Sequence, residues 1–126
     1  HSAVSAGFTL VEVHGGAAVQ IDLRDGQLDF DVSDDLKARL KTAVGDLLIE
    51  GHRSFVLNVE SVELIDSCGV GLIIALHHQV AAAGGVLAVC NTCPFVLKVL
   101  RMMQLDKFLT LFPTLDKALK VVADAT

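Results

Sequence analysis

The sequence predicts an α/β fold: one domain on a mixed sheet of about five strands, with an N-terminal antiparallel hairpin and about four helices. Three observations carry this reading. Short strand-like runs alternate with longer runs of helical period from Phe8 onward. No repeat, low-complexity segment or long linker divides the chain. At 126 residues and 52% hydrophobic, it holds enough apolar material for one well-filled core.

Phe8 to Val13 and Ala17 to Leu23 read as strands, and Gly15-Gly16 between them is a hairpin turn signal. Asp25-Gly26 marks a second break, and Gln27-Leu28-Asp29-Phe30 reads as extended. Asp31 and Ser33-Asp34-Asp35 are expected to open the first helix, because carboxylates and hydroxyls favour helix N-termini. Leu36, Leu40, Val44, Leu47 and Leu48 then recur at helical spacing until Gly51. Phe55 to Val59 is a short buried strand, and Val62, Leu64 and Ile65 lead into Asp66-Ser67-Cys68-Gly69. A helix is expected from Cys68 to about Ala83, ended by Gly84-Gly85 as a left-handed cap. Val86 to Val89 is the next strand, and Pro94 suits the first position of a helix that continues to Met103. Phe108 to Phe112 reads as a strand and Leu115 to Val122 as a last helix, with Leu115, Leu119 and Val122 on one face. Residues 1–7, beginning His1-Ser2, are expected to be a disordered or appended tail.

Aromatic residues make up only 5% of the chain, with no Trp and no Tyr, so the core must be aliphatic. Net charge is -5 and Lys and Arg form no cluster. Without a basic footprint, neither direct nucleic-acid binding nor attachment to an anionic membrane is expected. The longest apolar stretch, Gly69 to Leu76, falls well short of the roughly 20 residues a membrane span needs. No signal peptide is expected either. Three Cys, an odd and low count, argue against a disulfide-stapled secreted fold and for a reducing cytoplasm.

The junction Asp66-Ser67-Cys68-Gly69 carries the chemistry that stands out. Asp or Ser there can cap the helix that follows. A hydroxyl at a helix start beside Gly69 and Gly71 is also open to a phosphate, which would meet free N–H groups and the positive end of the helix dipole. The two readings are compatible. A serine nucleophile fits poorly, since Ile65 stands where G-x-S-x-G needs its first Gly and no His clearly returns to Ser67. Cys90-Asn91-Thr92-Cys93-Pro94 is a C-x-x-C between strand and helix, the setting of redox motifs. It lies too late in the chain for a thioredoxin order, and two structural Cys are the simpler reading. His77 and His78 are adjacent and expected on different sides of a helix, while His14 and His52 stand in polar turns. Neither these nor the Cys give normal zinc spacing, so no metal or cofactor is expected. Met102-Met103 with Leu100 and Leu105 forms an apolar patch, read as core or as a partner surface.

The run from Val62 to Leu119 resembles the STAS domain, named for sulfate transporters and anti-sigma factor antagonists, and most of all the free-standing bacterial antagonists. The residues that carry the resemblance are Asp66-Ser67-Cys68-Gly69, the Gly84-Gly85 turn, Pro94 at a helix start and Leu105-Asp106-Lys107-Phe108. Gly26-Gln27-Leu28-Asp29 matches the family's upstream G-E-L-D, with Gln for Glu. The likeness covers about Phe8 to Val122.

The resemblance implies a partner switch. An antagonist of this type binds an anti-sigma factor that is also a Ser/Thr kinase, and so frees a sigma factor for RNA polymerase. The kinase phosphorylates the Ser after the Asp, the complex parts, and a PP2C-type phosphatase restores the antagonist. Carried across, Ser67 is the phosphoacceptor, and Asp66, Asp29, Cys68 and Gly69 belong to the partner surface. One pair of like charges at ~6 Å, with an effective dielectric of ~20, costs roughly 3 kcal/mol. A phosphate near Asp66, Asp29 and an acidic partner surface would thus weaken binding about a hundredfold without refolding the domain. Such a protein is not an enzyme; it is expected in the cytoplasm as a monomer or weak homodimer. The alternatives are a STAS adaptor that does not switch, in a stress-signalling scaffold or a lipid-transport complex, and a thiol redox protein using Cys90 and Cys93. Cys68, where the family often has a second Ser, removes one phosphosite and adds an oxidisable thiol.

Overall fold

Alternate residues of the central strands divide the interior in two. In β5 (Ser54–Asn58), Phe55 and Leu57 face one side of the sheet and Val56 the other, and all three are fully buried. A strand buried on both faces needs helices on both sides. The computed structural model describes residues 2–5 and 7–124, with side chains from Gly7 onward, and shows that arrangement.

The hairpin is β2 (Phe8–Val13) and β3 (Ala18–Leu23), paired antiparallel from Phe8↔Leu23 to Val13↔Ala18. The turn at His14–Gly16 has positive φ at all three positions, which explains its two glycines. β3, β5, β7 (Val86–Cys90) and β8 (Thr110–Phe112) then run parallel. These five strands are the mixed sheet the sequence predicts. A sixth, β1 (Ser2–Ser5), pairs antiparallel with β2 at the outer edge. The backbone of residues 2–5 thus lies in the sheet, within the segment expected as a disordered or appended tail; His1 and Ala6 of that segment lie outside the described residues.

A separate parallel ladder joins β4 (Gln27–Leu28) to β6 (Leu64–Ile65), as Gln27↔Leu64 and Leu28↔Ile65. It matters because each strand leads straight into a helix: α1 (Phe30–Ile49) and α2 (Ser67–Ala82). α1 begins before the acidic cluster expected to open it, since Asp29 already caps it. With α3 (Pro94–Met102), these helices cover the face carrying Phe8, Leu10, Ile21, Phe55, Leu57 and Leu87. α4 (Leu115–Asp124) covers the other face, setting Ala118, Leu119 and Val122 against Ala18, Val56, Ala88 and Cys90. Leu105–Lys107 is a short 3-10 turn, so the last strand starts at Thr110 rather than Phe108.

Because Phe55 is fully buried in the larger core, Phe55→Ala should lower stability by about 3–5 kcal/mol, read as a lower urea midpoint with an unchanged slope.

Candidate functional site

The β4–β6 ladder brings two helix N-termini side by side, and one carboxylate serves both. Asp66 is the N-cap of α2, with extended backbone at φ -115 and ψ -173. Its Oδ1 accepts from the N–H of Cys68 at 2.8 Å and of Gly69 at 3.1 Å. Its Oδ2 accepts from the N–H of Phe30, the first residue of α1, at 2.9 Å. Asp66 in turn donates its own N–H to the Leu28 carbonyl at 3.2 Å. Asp29 caps α1 locally, its Oδ1 accepting from the Asp31 N–H at 3.0 Å. A carboxylate suits this place because both helix starts present unpaired N–H groups and positive dipole ends.

Partial burial works to raise the Asp66 pKa, but hydrogen bonds from the N–H groups of Gly69, Phe30 and Cys68 outweigh it and hold the carboxyl below its ordinary value.

Ser67 follows as the first helical residue, exposed, and its hydroxyl makes no hydrogen bond among the described residues. The sequence left capping open between Asp66 and Ser67; the cap is Asp66. It also expected a phosphate on Ser67 to meet free N–H groups. Those of Cys68 and Gly69 are instead bound by Asp66, so the helix has less to offer a phosphate than its position suggests.

Cys68 is half-buried beside Ser67. Gly69, expected at the partner surface, is buried. A Cβ there would lie 2.2 Å from the Leu28 carbonyl oxygen and 2.7 Å from Ile65 Cγ1, so glycine is what lets α2 close onto the ladder. Its place corrects the expected surface role to a packing one.

Burial argues against a redox pair. Cys90 is fully buried; burial first, then the charges of Asp22 and Glu60, push its thiol up to about 12. Such a thiol stays protonated at neutral pH and is no nucleophile. Cys93 caps α3 and lies with Sγ 3.7 Å from the Glu63 carbonyl oxygen. Beside Cys90 in the sheet register, Asn58 donates to Asp22 at 2.7 Å and accepts from Asn91 at 3.0 Å, a part-buried polar network that the sequence did not reveal.

His77 and His78 both reach Phe108, with ring centroids at 4.6 and 5.6 Å, rather than pointing apart. Burial, and then the charge of His78, lower the pKa of His77. Among the described residues no group of three or more His, Cys, Asp or Glu is placed to hold a metal ion, and no helix is long and apolar enough to cross a membrane.

Comparison with known proteins agrees with this architecture. The family model described as the STAS domain matches residues 11–118. An anti-sigma F factor antagonist of Paenibacillus polymyxa is 28% identical over 102 residues, covering 81% of this chain and 85% of the relative. The structure of the anti-sigma factor antagonist SpoIIAA in its unphosphorylated form superimposes with a TM-score of 0.72 at 26% identity, covering 93% of this chain and 96% of that one. The phosphorylated form of SpoIIAA, a Bacillus cell fate determinant, gives a TM-score of 0.65 at 26% identity, covering 91% and 98%.

A lowered carboxylate pKa adds stability that is present above the unfolded-state value of about 3.9 and is lost as pH falls through the folded-state value. Asp66→Asn keeps an oxygen acceptor but removes that titration. The variant should melt at lower temperature near pH 7 and lose less of its stability between about pH 5 and pH 3 than the parent. Thermal melts across that range check both points.

Proposed function

The chain belongs to the STAS-domain family, and from that premise we propose that it is an anti-sigma factor antagonist, switched off by phosphorylation of Ser67. The observation that carries the proposal is the exposed Ser67 hydroxyl, standing at the first turn of α2 while Asp66 does the capping. A serine that only capped its helix would have its oxygen turned onto the backbone. This one belongs to an exposed residue and makes no hydrogen bond among the described residues, which leaves it open to a kinase.

The unphosphorylated chain binds an anti-sigma factor that is also a Ser/Thr kinase, in the cytoplasm, and so releases a sigma factor. Asp29 and Cys68 border the contact surface, and Asp66 and Gly69 hold its shape. To phosphorylate Ser67, the kinase must bring the terminal phosphate of ATP to within about 3–3.5 Å of its Oγ. After transfer, a phosphoserine of about -1.5 to -2 charges faces the nucleotide's remaining phosphates and stands beside Asp66. Because Asp66 already binds the nearest helix N–H groups, little on the chain itself neutralises the new charge. Repulsion then weakens the complex by about a hundredfold, and no refolding is needed. A PP2C-type phosphatase resets the switch. The chain performs no chemistry of its own in this scheme.

Ser67→Asp places one permanent charge at this point and should weaken binding to the kinase by about tenfold or more, whereas Ser67→Ala should bind like the parent and take up no phosphate. Calorimetric titration against the purified anti-sigma factor kinase, with radiolabelled ATP to follow transfer, reads both. Equal binding by the parent and the Asp variant would favour a STAS adaptor that does not switch.

A further inference from the structure

Of the eight large apolar side chains exposed among the described residues, three lie on elements that meet around Asp66. Phe30 opens α1 and is 74% exposed, although its backbone N–H is fixed 2.9 Å from Asp66 Oδ2. Leu64 stands two residues before Asp66 on β6. Phe95 lies in the first turn of α3, whose cap Cys93 touches the Glu63 carbonyl. Exposing a phenylalanine at a helix start brings no folding benefit, since Asp66 and Asp29 already supply the caps.

The charge around Phe30 has one sign. Asp29, Asp31, Asp34, Asp35 and Glu63 flank it in sequence or across the ladder, and no Lys or Arg occurs from Asp25 to Leu36 or from Ser54 to Leu97. Along α1 the nearest cation is Lys37, about two turns from Phe30, and Arg39 beyond it pairs with Asp35 at 3.0 Å. A second copy of this chain would set these acids against one another, which disfavours a symmetric dimer through this face.

We infer that Phe30 is the specificity anchor of the partner interface, entering an apolar pocket of the anti-sigma factor whose rim carries Lys or Arg. The inference rests on the function proposed above and adds to it the chemistry of the partner. An aromatic side chain on a rigid helix start offers a large contact area at low entropic cost, as interface hot spots do. The surrounding acids steer the encounter and reject partners without a basic rim.

The test measures affinity for the purified anti-sigma factor kinase domains of the source organism, taken one by one. Phe30→Ala keeps the N–H that Asp66 accepts, so its melting curve should match the parent's. Its affinity should fall by at least about tenfold, mainly through faster dissociation. Ile49→Ala removes an 86% exposed side chain at the opposite end of the same helix and should leave affinity unchanged. Raising salt should slow association of the parent. A Phe30→Ala variant that binds as tightly as a binding-competent parent overturns the anchor and leaves the function proposed above standing. A parent that binds none of these domains overturns both.

Discussion

The Asp66 carboxylate is the contact on which the rest of the site depends. Its two oxygens accept three backbone N–H groups from two helices, and its own N–H returns to the strand that precedes one of them. The start of α1, the start of α2 and the β4–β6 ladder are thereby fixed against one another. Charge makes the clasp stronger than a neutral cap, because hydrogen bonds to an ionised acceptor are shorter and stronger, and two positive helix ends converge on it. Gly69 completes the arrangement by giving Leu28 room to touch the helix backbone.

Two consequences follow for Ser67. Its hydroxyl is relieved of capping and stands exposed. The N–H groups that would draw in a phosphate are already bound, so a charge added there acts outward on whatever lies opposite. A fixed, preorganised surface is the right basis for a switch by repulsion, because nothing in the domain needs to move for the new charge to be felt. The same rigidity serves Phe30, held at the edge of this surface through its backbone while its ring remains in solvent.

Much of this was legible in the sequence, and what was not has identifiable causes. The alternation in Phe55-Val56-Leu57 and the period of Leu36, Leu40, Val44 and Leu47 gave strand and helix directly, since burial follows those periods. The Asp66-Ser67 junction was found because acids and hydroxyls concentrate at helix starts. α1 starts earlier than the local pattern suggests, because Phe30 looks like the end of an extended run although Asp29 before it is the N-cap. The β4–β6 ladder is two residues per strand and joins segments far apart in the chain, beyond the reach of any local pattern. Gly69 looked like a surface residue because nothing local announces a carbonyl approaching from Leu28. Cys90 and Cys93 share a redox spacing, yet alternation puts Cys90 in the core, and only burial separates a reactive thiol from an inert one. The exposure of Phe30 is likewise invisible to pattern, since an apolar letter at a helix start reads as core.

Phosphate occupancy of Ser67, measured by peptide mass spectrometry on the protein recovered from its own organism in growing and in starved cells, is the most direct test of the switch. Phosphate at Ser67 is expected, with an occupancy that differs between the two states. No phosphate on Ser67 in either state would contradict the switch.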